Sequence, residues 1–406
     1  MSLSAYYNFL SGKRLKLIFL NVINNLASQF STLFISLLVV RLISIGIWGD
    51  YSKIILLITL LGQIPAWGSR DYLVREFSRA PGSINPVWMK SIVSRSVLLL
   101  PVFIFVLFTS YNLSIQSYII LILFLRFLFQ SYDSLILYQR NYSLKIILEF
   151  SWGLLFALIV VLFKDKLTII TLLLLTAILD LAKATAMVIV MNISFKPNFS
   201  FFEIDYLKKS FLFFLLGFTG LIISRIDQVS AALFLESNEI GKYQIIMSFL
   251  LIIQASSNFI IQPFLKIIYR LKFTTAKRIS LKLFLFGIVI GGIGIICMNY
   301  ILQFFYHIKI DFLLLLLSYL FVLPIFYYTI YIFSLLKIKR VAFIIKLNIA
   351  GALFTFLLSF IIMNIYGKSI YVIFFSSTLI QYVLLIIYTF YGNSKLKHPG
   401  DFHDIN

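Results

Sequence analysis

The chain has 406 residues, of which 61% are hydrophobic and 12% charged, far from the ~45–50% apolar and ~25% charged content of a soluble domain. A mean hydropathy of +1.01 leaves almost every window of ~20 residues apolar enough to fill a ~30 Å bilayer core, which excludes a water-soluble globular fold. One cysteine, Cys297, and three scattered histidines, His307, His398 and His403, exclude a disulfide framework within the chain and a Cys- or His-rich metal site.

Apolar runs bounded by charged or turn residues predict twelve membrane helices. In the first half they lie near 17–40, 51–68, 91–110, 115–136, 147–163 and 168–191. In the second half they lie near 210–233, 242–265, 283–302, 311–334, 347–365 and 370–390. The first 16 residues are too polar to open a cleaved signal peptide, so the first run is expected to stay as an anchor. The expected architecture is all-α and integral to the membrane, with an N-terminal lobe over 1–200 and a C-terminal lobe over 201–406, six helices each. No span leaves room for a sizeable soluble domain.

The formal net charge of +20 would suit a nucleic-acid binder, but its placement says otherwise. With the N-terminus inside, the inward segments carry 24 of the 35 basic residues and the outward ends and loops only 7, namely Arg41, Lys53, Lys164, Lys166, Lys242, Lys309 and Lys368. That bias follows the positive-inside rule. Anionic lipid headgroups account for the charge, and both termini are expected to be cytoplasmic.

Trp48-Gly49-Asp50-Tyr51 after the first helix resembles Ile240-Gly241-Lys242-Tyr243 after the seventh, with Gly and Tyr recurring at an offset of 192. Six helices, an even number, separate the two. The halves would therefore share one orientation, the parallel-repeat plan of transporters that hold substrate near mid-membrane. Pro65 in the second helix and Pro263 in the eighth fall at nearly matching places, and each removes a backbone donor and can kink its helix.

Polar groups inside spans mark where a helix cannot face lipid. In the first helix Asn21, Asn24, Asn25, Ser28, Gln29, Ser31, Thr32 and Ser36 fall within about 160° of arc at the helical period. Gly217, Gly220, Ser224, Arg225, Asp227 and Gln228 share a similar arc in the seventh. The plain alternative is hydrogen bonding between helices of a closed bundle. Charges are harder to absorb, because one at a helix centre costs ~2.5–3.5 kcal/mol even on the lenient insertion scale. Arg126, Asp180, Lys183, Arg225 and Asp227 are the candidates. Asp180 and Lys183, three apart, are spaced to pair on one helix face. Arg225 and Asp227, two apart, are not, which calls for partners on other helices or a ligand. Asp133 and Glu149, near the inner ends, are expected to be solvated. Gly287, Gly291, Gly292 and Gly294 have the small-xxx-small spacing of close helix packing. No H-E-x-x-H, P-loop or nucleophile-elbow pattern occurs, so catalysis, metal and cofactors are not expected.

The run Arg41-Leu-Ile-Ser-Ile-Gly-Ile-Trp-Gly-Asp-Tyr51 with Arg70-Asp-Tyr-Leu-Val-Arg-Glu76, and the run Ile226-Asp-Gln-Val-Ser230 continuing to Glu239-Ile-Gly-Lys-Tyr243, resemble polysaccharide flippases of the Wzx type. These belong to the multidrug/oligosaccharidyl-lipid/polysaccharide exporter superfamily. One departure is Leu42-Ile43-Ser44, where the typical loop reads Leu-Gly after the arginine. The resemblance implies a non-enzymatic flippase of the bacterial inner membrane. Its substrate would be an undecaprenyl-diphosphate-linked oligosaccharide, moved to the periplasmic leaflet for O-antigen or related polysaccharide assembly. A polysaccharide polymerase and a chain-length regulator would be its partners. It also implies roles: Arg225 and Arg126 for the anionic diphosphate or sugar, and Asn25, Gln29 and Gln254 for sugar hydroxyls. Asp227 or Asp180, the latter with Lys183 beside it, would carry any proton or sodium coupling. Pro65 and Pro263 would act as hinges. A drug exporter of the same superfamily is the nearest rival reading. A polymerase or ligase would need a large periplasmic loop that this chain lacks, and a lipid II flippase usually has fourteen spans.

Overall fold

The protein is described by a computed structural model covering residue 23 and residues 29–191, 201–261, 273–338 and 340–396. Asn21, Asn24, Asn25, Ser28 and Pro263 lie outside the described residues. The described chain is helical, with no strand among its residues.

Helix α1 spans Gln29–Leu42. Ser44 then caps α2 (Ile45–Ala66), its hydroxyl accepting from the Ile47 amide at 3.2 Å and satisfying one of the orphan donors of the first turn. The second span breaks at Trp67 and Gly68, both left-handed at φ 45° and 63°, before α3 (Ser69–Arg79) completes it. The third span is likewise divided into α4 (Ile84–Ser96) and α5 (Leu99–Leu107). The fourth consists of α6 (Leu113–Ser131), capped by Asn112, and α7 (Asp133–Gln139). Helices α8 (Tyr142–Leu162), α9 (Ile169–Met191) and α10 (Ile204–Phe234) follow. The rest is α11 (Ser237–Ile261), α12 (Phe273–Phe304), α13 (Phe312–Lys337), α14 (Val341–Tyr366) and α15 (Ile370–Leu396).

Eleven spans of the described residues are long and apolar enough to cross a membrane, and α1 is a shorter apolar helix at the position expected for the twelfth. This is a multi-pass membrane protein. The eleven coincide with the second to twelfth predicted runs. Helix α10 begins six residues, and α12 ten residues, before the predicted apolar windows, because their polar first turns still close helical hydrogen bonds.

The chain divides into two compact units, the first ending at Leu221 and the second beginning at Ile222. The division falls inside α10 rather than in the loop at 200. In the first unit α6 packs on α9, α2 and α5, and α9 packs on α8. In the second unit α13 packs on α15, α11 and α12, and α15 packs on α14. The two sets match span for span: in each unit the fourth span holds the second, third and sixth, and the fifth leans on the sixth. Helices α2 and α11 begin 192 residues apart, the same offset as the Gly and Tyr pair that opens them. The second to sixth spans of the two units thus share one packing pattern.

Helices in lipid gain little from apolar burial against one another, so close packing and hydrogen bonds hold them. A Cβ on Gly287 of α12 would lie 2.5 Å from the Phe326 ring of α13, and one on Gly294 2.7 Å from Ile253 of α11, so these two glycines allow close helix packing, whereas Gly291 has ordinary contact and a Cβ on Gly292 would meet nothing within 4 Å. At one end of the first unit, Leu73, Phe77, Trp88, Ile92, Phe127, Leu135, Met187 and Tyr206 form a buried cluster joining α3, α4, α6, α7, α9 and the start of α10.

Candidate functional site

In the first unit three cations, Arg126, Lys145 and Lys183, are paired with carboxylates on other helices. Arg126 Nε on α6 donates to Asp180 Oδ2 on α9 at 3.0 Å. Lys183 Nζ on α9 donates to Glu149 Oε2 on α8 at 2.7 Å, and Lys145 Nζ to Asp133 Oδ1 at 2.6 Å. Two expectations are corrected. Asp180 and Lys183 do not pair with each other, because each reaches a helix on a different side of α9. Glu149 is buried, not solvated, since a lysine one helix away makes its burial tolerable. Aromatic faces line the ladder: Lys183 Nζ lies 4.5 Å from the Trp152 ring centre and 5.4 Å from that of Phe129, which Lys145 approaches to 5.9 Å. Above it, Tyr51 and Thr176 share a hydroxyl–hydroxyl bond of 2.9 Å.

Arg95, which the pattern reading did not single out, is enclosed in α4 with 1% exposure. It forms no ion pair among the described residues. Its guanidinium donates to the Ser91 carbonyl and hydroxyl at 3.2 and 3.0 Å, to the Ser131 hydroxyl at 3.1 Å, and to the carbonyls of Pro65 and Ala66 at 3.2 and 3.4 Å. The last two are the closing carbonyls of α2, the negative end of that helix dipole. The signal was available in the sequence: an arginine inside a span, with a proline-bearing helix end beside it. Pro65 therefore sits at a helix break that a buried cation caps.

In the second unit the polar residues of α10 differ in burial, Ser224 being exposed and Arg225 partly buried. Asp227 and Gln228 are buried. Tyr243 of α11 donates its hydroxyl to Asp227 Oδ2 at 2.6 Å, and Arg225 Nη1 donates to Gln228 Oε1 at 2.9 Å. Asp227 thus has its partner on another helix, while Arg225 has a neutral one on its own helix and no ion pair among the described residues. Asp227 Oδ1 and Gln228 Nε2 have no hydrogen-bond partner among the described residues. Tyr243 was visible in the sequence only as half of the repeat motif. Its counterpart Tyr51 likewise spends its hydroxyl on an interior polar group.

Of the other candidates, Gln254 donates to the Phe321 carbonyl at 3.3 Å, tying α11 to α13. Gln29 is partly buried, with its Oε1 unpartnered among the described residues. Ser31 donates to the Glu149 carbonyl at 3.2 Å, and Ser36 to Leu33 on its own helix at 2.7 Å, so part of the α1 stripe is spent within the protein. Arg126, Asp180 and Lys183 lie in the first unit, and Arg225, Asp227 and Gln254 in the second. No group of three His, Cys, Asp or Glu that could hold a metal occurs among the described residues.

The chain matches no family profile and no curated protein sequence. Its fold is shared with solved structures of transporters. It is similar to the lipid II flippase MurJ in an inward closed conformation (TM-score 0.66, 14% identity, 92% of this chain and 87% of that one). It is also similar to the MATE multidrug transporter DinF-BH in a ligand complex (0.63, 13%, 95% and 96%). A third likeness is to a MOP superfamily transporter from Pyrococcus furiosus whose binding pocket is described as of reverse polarity (0.52, 10%, 95% of each chain).

Proposed function

We propose that this chain is a Wzx-type flippase that moves an undecaprenyl-diphosphate-linked oligosaccharide repeat unit from the cytoplasmic to the periplasmic leaflet of a bacterial inner membrane, for O-antigen or related polysaccharide assembly. The observation that carries the reading is Arg225. It is a cation inside a span with a single described acceptor, a neutral amide, where Arg126, Lys145 and Lys183 of the first unit have carboxylates and Arg95 has five neutral acceptors. Leaving a guanidinium so placed is costly unless an anion visits it, and its planar donor set suits a diphosphate. Arg126 already holds Asp180, so the anion-binding role falls to Arg225 and Arg126 becomes a structural partner. Gln228 Nε2 and Gln29 have unspent polar atoms for sugar hydroxyls, whereas Gln254 is committed to the backbone. Asp227, with one oxygen free and a tyrosine on the other, is the group we assign to proton or sodium coupling. The fold shared with a lipid II flippase supports a lipid-linked substrate.

The test is complementation of a strain lacking its own repeat-unit flippase. The wild-type chain should restore polymerised surface polysaccharide. Arg225→Ala, inserted at normal level, should leave single repeat units on the carrier lipid, and Arg225→Lys should restore export only in part, since an ammonium loses the fork geometry. Normal export by Arg225→Ala would refute the assignment. The fold shared with the multidrug transporter DinF-BH favours drug export as the second reading. That reading requires drug tolerance to rise with expression while polysaccharide stays absent.

A further inference from the structure

In the second unit, four contacts fix the register of α12 to α15 at one end of the bundle. Ser280 donates its hydroxyl to the Tyr327 carbonyl, and the rings of Phe284 and Tyr327 lie 5.9 Å apart. Gly392 of α15 meets the Tyr331 ring, and Phe343 of α14 stacks on Tyr391 at 3.7 Å. This register gathers Lys277, Arg278 and Lys282 of α12 with Arg340 and Lys346 of the α14 start, all exposed. No carboxylate of the described residues pairs with any of them. On the matching side of the first unit, Arg79, Lys90, Lys145 and Lys208 pair with Glu76, Glu203, Asp133 and Asp205. The asymmetry has a sequence cause. From Ile240 to Gly400 the single acidic residue is Asp311. It accepts from the Tyr371 hydroxyl at 2.9 Å, at the start of α15 and so about 30 Å along that helix from Gly392.

Arg278 and Lys282 are one helical turn apart and share a face of α12. The same face continues, at spacings of three and four, as Leu285, Val289, Ile293 and Ile296, every one exposed. A soluble anion would use the cationic head of this stripe and gain nothing from its apolar body. A lipid with a charged headgroup uses both.

We propose that Arg278 and Lys282 hold the phosphodiester headgroup of an anionic glycerophospholipid whose acyl chains lie along Leu285, Val289, Ile293 and Ile296. The site stabilises the second unit. It belongs to the surrounding bilayer and is separate from the substrate path through Arg225.

The test uses the full-length protein in neutral detergent, with its thermal unfolding midpoint read as phosphatidylglycerol, phosphatidylcholine or inorganic phosphate is added. Phosphatidylglycerol should raise the midpoint, while the other two should not. R278Q/K282Q should abolish the shift, R278K/K282R should keep most of it, and K164Q/K166Q, in the turn between α8 and α9, should keep all of it. Should the double glutamine variant fail to fold, R278Q and K282Q singly should each cut the shift about twofold. An undiminished shift in the glutamine variants overturns the proposal. So does a shift reproduced by phosphate alone, or one given by a polyprenyl phosphate and not by phosphatidylglycerol.

Discussion

Lys183 and Glu149, with side chains 10% and 9% exposed, are the most enclosed ion pair of the first unit, and their contribution follows from what each would be without the other. Glu149→Gln leaves an ammonium in a low-dielectric interior and should destabilise by ~3–5 kcal/mol, lowering the yield of folded protein in detergent. The double change Glu149→Gln with Lys183→Met should recover most of it, because it removes the buried charge along with the pair. Recovery of surface polysaccharide by the double variant in the complementation strain would show that the pair is structural. Residue identity made these charges conspicuous, but their partners were not legible. Helical periodicity offers Asp180 its own neighbour Lys183, and only the register of α6, α8 and α9 shows that Arg126 and Glu149 lie nearer. Glu149 was misread for the same reason: its distance from the helix end says nothing of a lysine approaching from another helix.

The second span shows how an element boundary depends on contacts distant in sequence. The apolar run ends near residue 68, and Pro65 predicts a kink within it. The break occurs two residues later, because Arg95 satisfies the last carbonyls of α2 while Trp67 donates its indole N–H to the Leu207 carbonyl at 2.9 Å and stacks on Phe214 at 4.2 Å. Gly68 adopts φ 63°, and a Cβ there would fall 2.4 Å from the Phe214 amide nitrogen. Gly68→Ala should therefore abolish folded protein, since backbone cannot give way as a side-chain tip can. Gly217 and Gly220 of α10 give the opposite expectation. A Cβ at either meets nothing within 4 Å, so alanine should be accommodated. Each replacement should raise helix stability by up to about 1 kcal/mol, read as a higher unfolding midpoint. A fall at either position would mean that α10 needs those glycines for something other than packing.

At the scale of the whole molecule the sequence was most informative, because bilayer thickness and loop charge act on every span alike. Eleven predicted runs reappear as helices, and the weak Gly and Tyr match opens the second span of each unit, from which five spans pack in the same pattern. The 24 to 7 division of basic residues predicts orientation: reporter fusions after Ala80, Lys209 and Lys395 should report cytoplasm, and those after Asn112 and Ser237 the periplasm. A periplasmic signal from the loop before Lys90 would invert the topology. The place where one unit ends was not legible in the sequence, because apolar content cannot tell which neighbours a helix will choose.

That boundary inside α10 has a consequence for biogenesis. Trp67, Gly68 and Ser91 are completed by Leu207, Phe213, Phe214 and Tyr206, all of which are synthesised after the sixth span has ended. At ~5–20 residues per second, a nascent chain waits about one to five seconds between finishing that span and supplying Phe214. During that interval the N-terminal helices are inserted but unsealed, with Arg95 and the broken helix end it caps short of their last wall. A chaperone or quality-control protease of the membrane would meet the newborn protein in that window, and a chain stopped at residue 200 would remain in it.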